Sequence, residues 1–122
     1  MKIQKLFDYR EVVGDHFGPK ARYIDTVRYG PERDQEDGHV RFLLYETFIF
    51  GFGFPGAQYS SVSCFFQASD SVSMTEFSGR DHTFIENNLD ALKEAFFDVD
   101  TFCRLRLPEK FLSDLDSRAR II

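Results

Sequence analysis

The sequence predicts an α+β fold: an antiparallel meander sheet of three to four strands, with an N-terminal helix and two C-terminal helices packed on one face. Strand-like alternation fills the middle of the chain, and helix-like periodicity occupies both ends. A chain of 122 residues fits a single compact domain, 1–122, with a core of modest size. With 15 Phe, 5 Tyr and no Trp, that core is dominated by phenylalanine.

The first helix and the first strand are separated by a glycine. Apolar residues recur at helical spacing from Ile3 to Val13, and Gly14 follows where a helix would end, which predicts a helix near 2–13. Apolar and polar residues then alternate over 23–29 before a Gly-Pro pair, as in a half-buried strand. The polar segment 31–38 is expected to be a loop.

The segment His39–Phe50 is apolar on both faces, which predicts one central strand. A second long strand is expected over 58–68, with Val62 and Cys64 among its inward residues. After a polar turn, a shorter strand follows around Val72 and Met74. Consecutive antiparallel strands of this kind form a meander.

The end of the central strand carries an unusual run in which phenylalanines alternate with Ile49 and then with glycines. In an extended backbone the phenylalanines share one face, while Gly51 and Gly53 leave the other face bare. We favour a strand end whose phenylalanines reach into the core. The alternative is a recognition surface to which Phe52 and Phe54 contribute exposed anchors.

The C-terminal third is expected to be helical. Thr83 and Glu86 have the spacing of a capping box, followed by an apolar stripe, which predicts a helix over 84–97. The segment 99–107 fits either a strand or a short helix. Pro108 suits the first turn of a last helix.

The net charge of −5 is concentrated in two acidic blocks inside basic ends. Residues 24–39 hold five acidic and two basic residues, and residues 82–100 hold five acidic residues and one lysine. The second block places carboxylates just beyond the predicted end of a helix, where the helix dipole disfavours them. The acidic residues singled out as candidates for partner contact are Glu32, Asp34, Glu36, Asp37, Asp98 and Asp100.

Catalytic and metal-binding motifs are missing from the sequence. The histidines His16, His39 and His82 each have an aspartate nearby, but no HxxxH, HExxH or CxxC spacing occurs. Cys64 and Cys103 are expected to be free, buried thiols rather than a nucleophile or a disulfide. There is no GxSxG elbow and no phosphate-binding loop. The sequence therefore predicts no enzyme, no metal and no cofactor.

Charge and hydropathy also limit the partners that we expect. An acidic protein is repelled by nucleic acid phosphates and attracted to basic proteins. No window reaches the length of a membrane span, and the residues after Met1 lack the apolar stretch of a signal peptide, so a cytoplasmic protein is expected.

Two functional hypotheses follow. The first is a small acidic inhibitor, an immunity protein that neutralises a basic, nuclease-like bacterial toxin domain encoded nearby. The second is a ligand-binding or enzymatic α+β domain with a Phe-lined pocket, to which Tyr45, Glu46 and the histidines would contribute polar groups. The first predicts a filled core and an acidic outer surface, and the second predicts a large enclosed cavity.

Overall fold

The computed structural model describes residues 3–29, 37–54, 61–67, 71–73, 82 and 85–121. It confirms the α+β prediction: an N-terminal helix, an antiparallel sheet in meander order and two C-terminal helices. The strand count exceeds the predicted three to four. Five strands follow one another in the sheet, and a sixth short strand pairs with the fourth.

The elements follow the chain in a simple order. Within the described residues the helices are α1 (Leu6–Phe17), α2 (Leu89–Leu105) and α3 (Glu109–Ile121), with a 3-10 turn at Gly18–Lys20. The strands are β1 (Ala21–Arg28), β2 (Gly38–Leu44), β3 (Phe48–Gly53), β4 (Ser61–Gln67), β5 (Ser71–Ser73) and β6 (Ile85–Glu86).

The helices cover one face of the sheet, which we call the inner face. On β2, β3 and β4 this face is formed by the even-numbered residues, because strand side chains alternate between faces. The ring of Tyr9 on α1 lies 5.7 Å from that of Phe52 on β3. The Phe96 ring on α2 lies 5.8 Å from the Phe52 ring and meets it edge to face. Aromatic packing therefore joins both helices to the middle of the sheet.

Helix α1 begins and ends later than the predicted 2–13. Gly14 lies inside the helix, and the chain leaves the helix at Gly18, whose φ of 58° is left-handed. The backbone N–H of Gly18 donates to the carbonyl of Gly14. Gly18 rather than Gly14 is the terminating glycine, because only the former adopts the conformation that glycine favours.

The single strand predicted over His39–Phe50 is wrong, because β2 and β3 form a hairpin. The chain reverses at Tyr45 and Glu46, whose φ angles are 54° and 56°. The Thr47 N–H donates to the Leu44 carbonyl at 3.1 Å and closes the turn. Consecutive left-handed residues are usually Gly or Asn, so nothing in the sequence marks this turn.

The predicted capping box is wrong, and the helix predicted over 84–97 is present but begins later, at Leu89. Glu86 and Ile85 form β6, which pairs with the start of β4. Asn88 is the N-cap of α2, and its side-chain oxygen accepts from the Ala91 N–H at 2.9 Å. Thr83 lies outside the described residues.

The remaining C-terminal prediction was an open choice between strand and helix over 99–107. Helix α2 continues through this segment to Leu105, with Val99, Phe102 and Cys103 buried. The last helix after Pro108 is confirmed, and Leu115 adds to the core. No helix in the described ranges is long and apolar enough to cross a membrane.

A polar contact joins the segment before α1 to the segment before α2. The buried side chain of Asn87 accepts from the Ile3 N–H at 2.9 Å and donates to the Ile3 carbonyl at 2.6 Å. Because both groups of the amide bond to one residue, Ile3 is held as if by a neighbouring strand. This contact fixes the chain that enters α1 against the chain that enters α2.

Candidate functional site

The bare glycine face of β3 is covered by its neighbours. A Cβ at Gly51 would lie 2.6 Å from Cε1 of Phe65, and one at Gly53 would lie 2.7 Å from the His39 Cβ. Phe52 and Phe54 point the other way and are 0% and 3% exposed. Their assignment as exposed anchors is therefore wrong, and the favoured alternative, a strand end with core phenylalanines, is confirmed.

An aromatic row crosses the outer face of the sheet over these glycines. The rings of Phe65 on β4 and His39 on β2 meet edge to face at 4.9 Å. The His39 Nδ1 and the hydroxyl of Tyr29 are hydrogen-bonded at 2.6 Å. Burial, followed by the charge of Arg41, lowers the pKa of His39. The missing side chains at Gly51 and Gly53 thus leave room for the Phe65 and His39 rings to pack across the strand, and these rings cover the glycines.

The structure describes residues 24–29 and 37–39 of the first acidic block. Glu32, Asp34 and Glu36 lie outside the described residues. Asp37 is half-buried, and its carbonyl accepts from the Tyr29 N–H at 2.9 Å. Burial and then the Asp37 charge raise the pKa of Tyr29.

Asp98 is an interior residue, not a surface acid. It is 7% exposed, and its Oδ2 lies 3.2 Å from Nε2 of His82, which is 1% exposed. The predicted helix ended before Asp98, so an isolated carboxylate was expected there. In the structure α2 continues, and Asp98 lies on its buried side. A contact between Asp98 and a partner would require this pair to leave the core.

Asp100 belongs to a different cluster, two residues further along α2. Its carboxylate accepts a hydrogen bond from the hydroxyl of Tyr45, which is wholly buried in the strained hairpin turn. Arg104 donates to the same hydroxyl at 3.3 Å and to Asp116 on α3 at 3.1 Å. The Lys20 Nζ lies 3.3 Å from Asp116 as well.

The shifted pKa values of this cluster follow from these contacts. Burial, and then the hydrogen bond to Asp100, raises the pKa of Tyr45. The hydrogen bond from Arg104 lowers the pKa of Asp116, with Lys20 adding to the effect. Tyr45 and Asp100 therefore connect the hairpin turn to the helices, which is a structural task.

Both cysteines are free and buried. Burial raises the pKa of the Cys64 thiol, and the charge of Asp98 adds to the effect. Burial also raises the pKa of Cys103 to about 12. The free, buried thiols expected from the sequence are confirmed, and at neutral pH both stay protonated and weakly nucleophilic.

The outer side of α2 combines apolar and acidic residues, and we call it the α2 face. Leu89, Phe97 and Leu105 are 40%, 63% and 70% exposed and lie eight residues apart along the helix, with the exposed Lys93 between the first two. Asp90 and Glu94 are exposed beside these residues. Helical spacing continued through 89–105 would have identified this face. It was missed because the predicted helix was shifted toward the N-terminus.

The exposed side of α1 extends the negative charge. Asp8, Glu11 and Asp15 are exposed on this helix, whereas Leu6, Tyr9, Val13 and Phe17 face the core. The guanidinium of Arg10 lies 3.6 Å from the centre of the Tyr23 ring, so the cation of α1 is held toward the sheet.

A cleft of about 250 Å³ separates α1 from α2. Its lining residues are Val12, Asp15, His16, Leu89, Lys93 and Phe96. The Phe96 ring is 1% exposed and lies 5.0 Å from the His16 ring, which makes it the floor of the cleft. Burial lowers the pKa of His16, although the charge of Asp100 opposes this effect.

Metal ligands do not converge in the part of the chain that the structure describes, where no three His, Cys, Asp or Glu residues are grouped to hold an ion. Comparison of the chain with protein-family models, curated proteins and solved structures found no match.

Proposed function

We propose that this protein is a small acidic inhibitor that binds a basic protein through the α2 face and the adjoining side of α1. The observation that carries the proposal is the exposure of Phe97, at 63%, beside the exposed carboxylates of Asp90 and Glu94. Interfaces favour aromatic anchors surrounded by a polar rim. The α2 face offers both, and its charge suits a basic partner.

The class of partner follows from electrostatics. Nucleases hold phosphates with basic grooves, and an acidic inhibitor gains fast, steered association with such a groove. The specific form of the proposal is an immunity protein that acts in the cytoplasm on a toxin domain encoded nearby. Asp90 and Glu94 replace Asp98 in the proposed contact set, because Asp98 is buried with His82.

The alternative, a domain with a Phe-lined pocket, is less well supported by the packing of the interior. The Phe102 ring lies 5.6 Å from Phe50 and 5.1 Å from Phe66, and Phe50 lies 6.5 Å from Phe52. The surfaces of these rings are therefore taken up by contacts with one another. Mutual packing of this kind favours a structural role for the phenylalanines.

The proposal is tested by capture from a lysate of the native organism, followed by binding kinetics with the purified partner. We expect a basic protein whose association slows as salt rises. The double reversal of Asp90→Lys and Glu94→Lys should slow association at least tenfold, since each charge contributes to steering. Phe97→Ser should mainly speed dissociation.

A matched control uses the exposed acids of α3. Glu109→Lys with Asp114→Lys makes the same change of charge on another helix. If this control slows association as much as reversal of Asp90 and Glu94, net charge rather than the α2 face directs binding. Association that is insensitive to salt and to both reversals would refute the proposal.

A further inference from the structure

The cleft between α1 and α2 has walls and charges that suit one kind of side chain. Val12, Leu89 and the Phe96 floor supply apolar surface, while the carboxylate of Asp15 stands exposed at the edge. A long cationic side chain matches this arrangement, because its stem is apolar and its head is charged. Such a side chain would also be abundant on a basic partner.

The charged groups that line the cleft have mixed signs. Asp15 on α1 contributes negative charge to the lining of the cleft, and Lys93 on α2 contributes positive charge. Asp100 acts on His16 from outside the lining, because its carboxylate accepts a hydrogen bond from Tyr45. In its neutral form the His16 ring adds no cation and can accept a hydrogen bond. Within the lining the Asp15 carboxylate and the Lys93 ammonium balance, so a cation is favoured only where its charged head contacts Asp15.

We infer that this cleft receives an arginine or lysine side chain of the basic partner, with the stem against Val12 and Leu89 and the charged head at Asp15. The inference rests on the proposed function for its partner, but the cleft can be probed without that partner. Lys93 weakens the affinity of the cleft for this side chain, because its charge repels the incoming cation.

The probe is acetyl-arginine amide, and its neutral isostere acetyl-citrulline amide is the control. Titration is followed by the backbone amide signals of the intact protein in ¹H–¹⁵N spectra. We expect saturable shifts at His16, Leu89 and Lys93 with a dissociation constant on the order of 1–10 mM, as for a single side chain. Acetyl-citrulline amide should give shifts that do not saturate over the same range.

Two variants at the edge of the cleft predict opposite changes. Asp15→Asn should weaken acetyl-arginine amide binding about two- to fivefold, and Lys93→Gln should tighten it by a similar factor, as for exposed charge pairs. Both side chains are exposed, so neither change should unfold the protein. Equal binding of the two probes, shifts outside the cleft or the same sign for both variants would overturn the inference.

Acid adds a third readout. Protonation of His16 places a second cation beside Lys93, so the affinity for acetyl-arginine amide should fall between pH 7 and pH 5. His16→Gln should remove most of that dependence.

The two proposals fail in different ways. Acetyl-arginine amide could bind even though no basic partner with salt-sensitive association exists. In that case the proposed function fails, and the cation that enters the cleft is not a side chain of such a partner. If a partner binds with an affinity unchanged by Asp15→Asn and Lys93→Gln, the cleft inference alone is refuted.

Discussion

The left-handed turn at Tyr45 and Glu46 predicts a reversal of the usual preference for alanine over glycine. Glu46 has a φ of 56° and an exposed side chain. An L-residue pays about 1–2 kcal/mol in this conformation, and glycine does not. Glycine loses about 0.4–1 kcal/mol more through the entropy of the unfolded chain. Glu46→Gly should therefore be about 1 kcal/mol more stable than Glu46→Ala.

Comparing the two variants with each other removes the glutamate from both, so its own contacts cancel. The control is Glu94, which is exposed within α2, where glycine should be about 1 kcal/mol less stable than alanine. Urea unfolding followed by far-ultraviolet circular dichroism measures all four variants. A difference of 1 kcal/mol corresponds to about 3–5 °C in Tm for a domain of this size. Equal stability of the two Glu46 variants, or alanine the more stable, would refute the left-handed turn.

Three further changes test other contacts. Gly51→Ala should cost about 1–2 kcal/mol because the new methyl group displaces the Phe65 ring, and the cost should largely vanish in a Phe65→Leu background, measured as a double-mutant cycle. Asp98→Ala should cost about 2 kcal/mol in urea unfolding, since it removes a buried carboxylate that contacts the buried His82, and a cost below about 1 kcal/mol would show that this contact adds little to stability. The lowered pKa of Asp116 predicts stability that is present above its unfolded pKa and is lost as pH falls through the folded value. The deficit of Asp116→Asn, about 0.5 kcal/mol at pH 7, should therefore shrink below about pH 4, and a deficit constant from pH 7 to pH 3 would contradict the shift.

The sequence was sufficient for the elements whose local signals agree with the tertiary structure. Apolar alternation located β1 and the centre of β4, and Pro108 marked the start of the last helix. In each case the hydrophobic period and the breaker residues indicate the same element.

The misplaced elements have local signals that tertiary contacts override. Thr83 and Glu86 have the spacing of a capping box, but pairing of β6 with β4 takes Glu86 into a strand. The reversal at Tyr45 contains no Gly or Asn. The buried Tyr45 ring and its hydrogen bond to Asp100 hold the backbone in the turn instead. Such long-range contacts have no sequence pattern.

The candidate site shows the same division. The sequence identified the second acidic block and favoured core phenylalanines, but it could not tell which acids are buried. Asp98 and Glu94 are four residues apart on one helix, yet the first pairs with His82 in the interior and the second is exposed. Their difference in burial is set by how α2 packs against the rest of the fold, and the spacing of residues along the sequence does not show it.

The bond between Asn87 and Ile3 has a consequence for the order in which the molecule is completed. The two residues are 84 positions apart, so the enclosed chain must be brought together before the contact forms. Contacts of such separation slow folding, and a chain emerging from the ribosome cannot make this one until Asn87 has been synthesised. Because this contact fixes the start of α1 against the start of α2, we expect the α2 face and the adjoining side of α1 to come together only in the completed fold. Partly folded or truncated chains would then neither display this face nor compete for its partner.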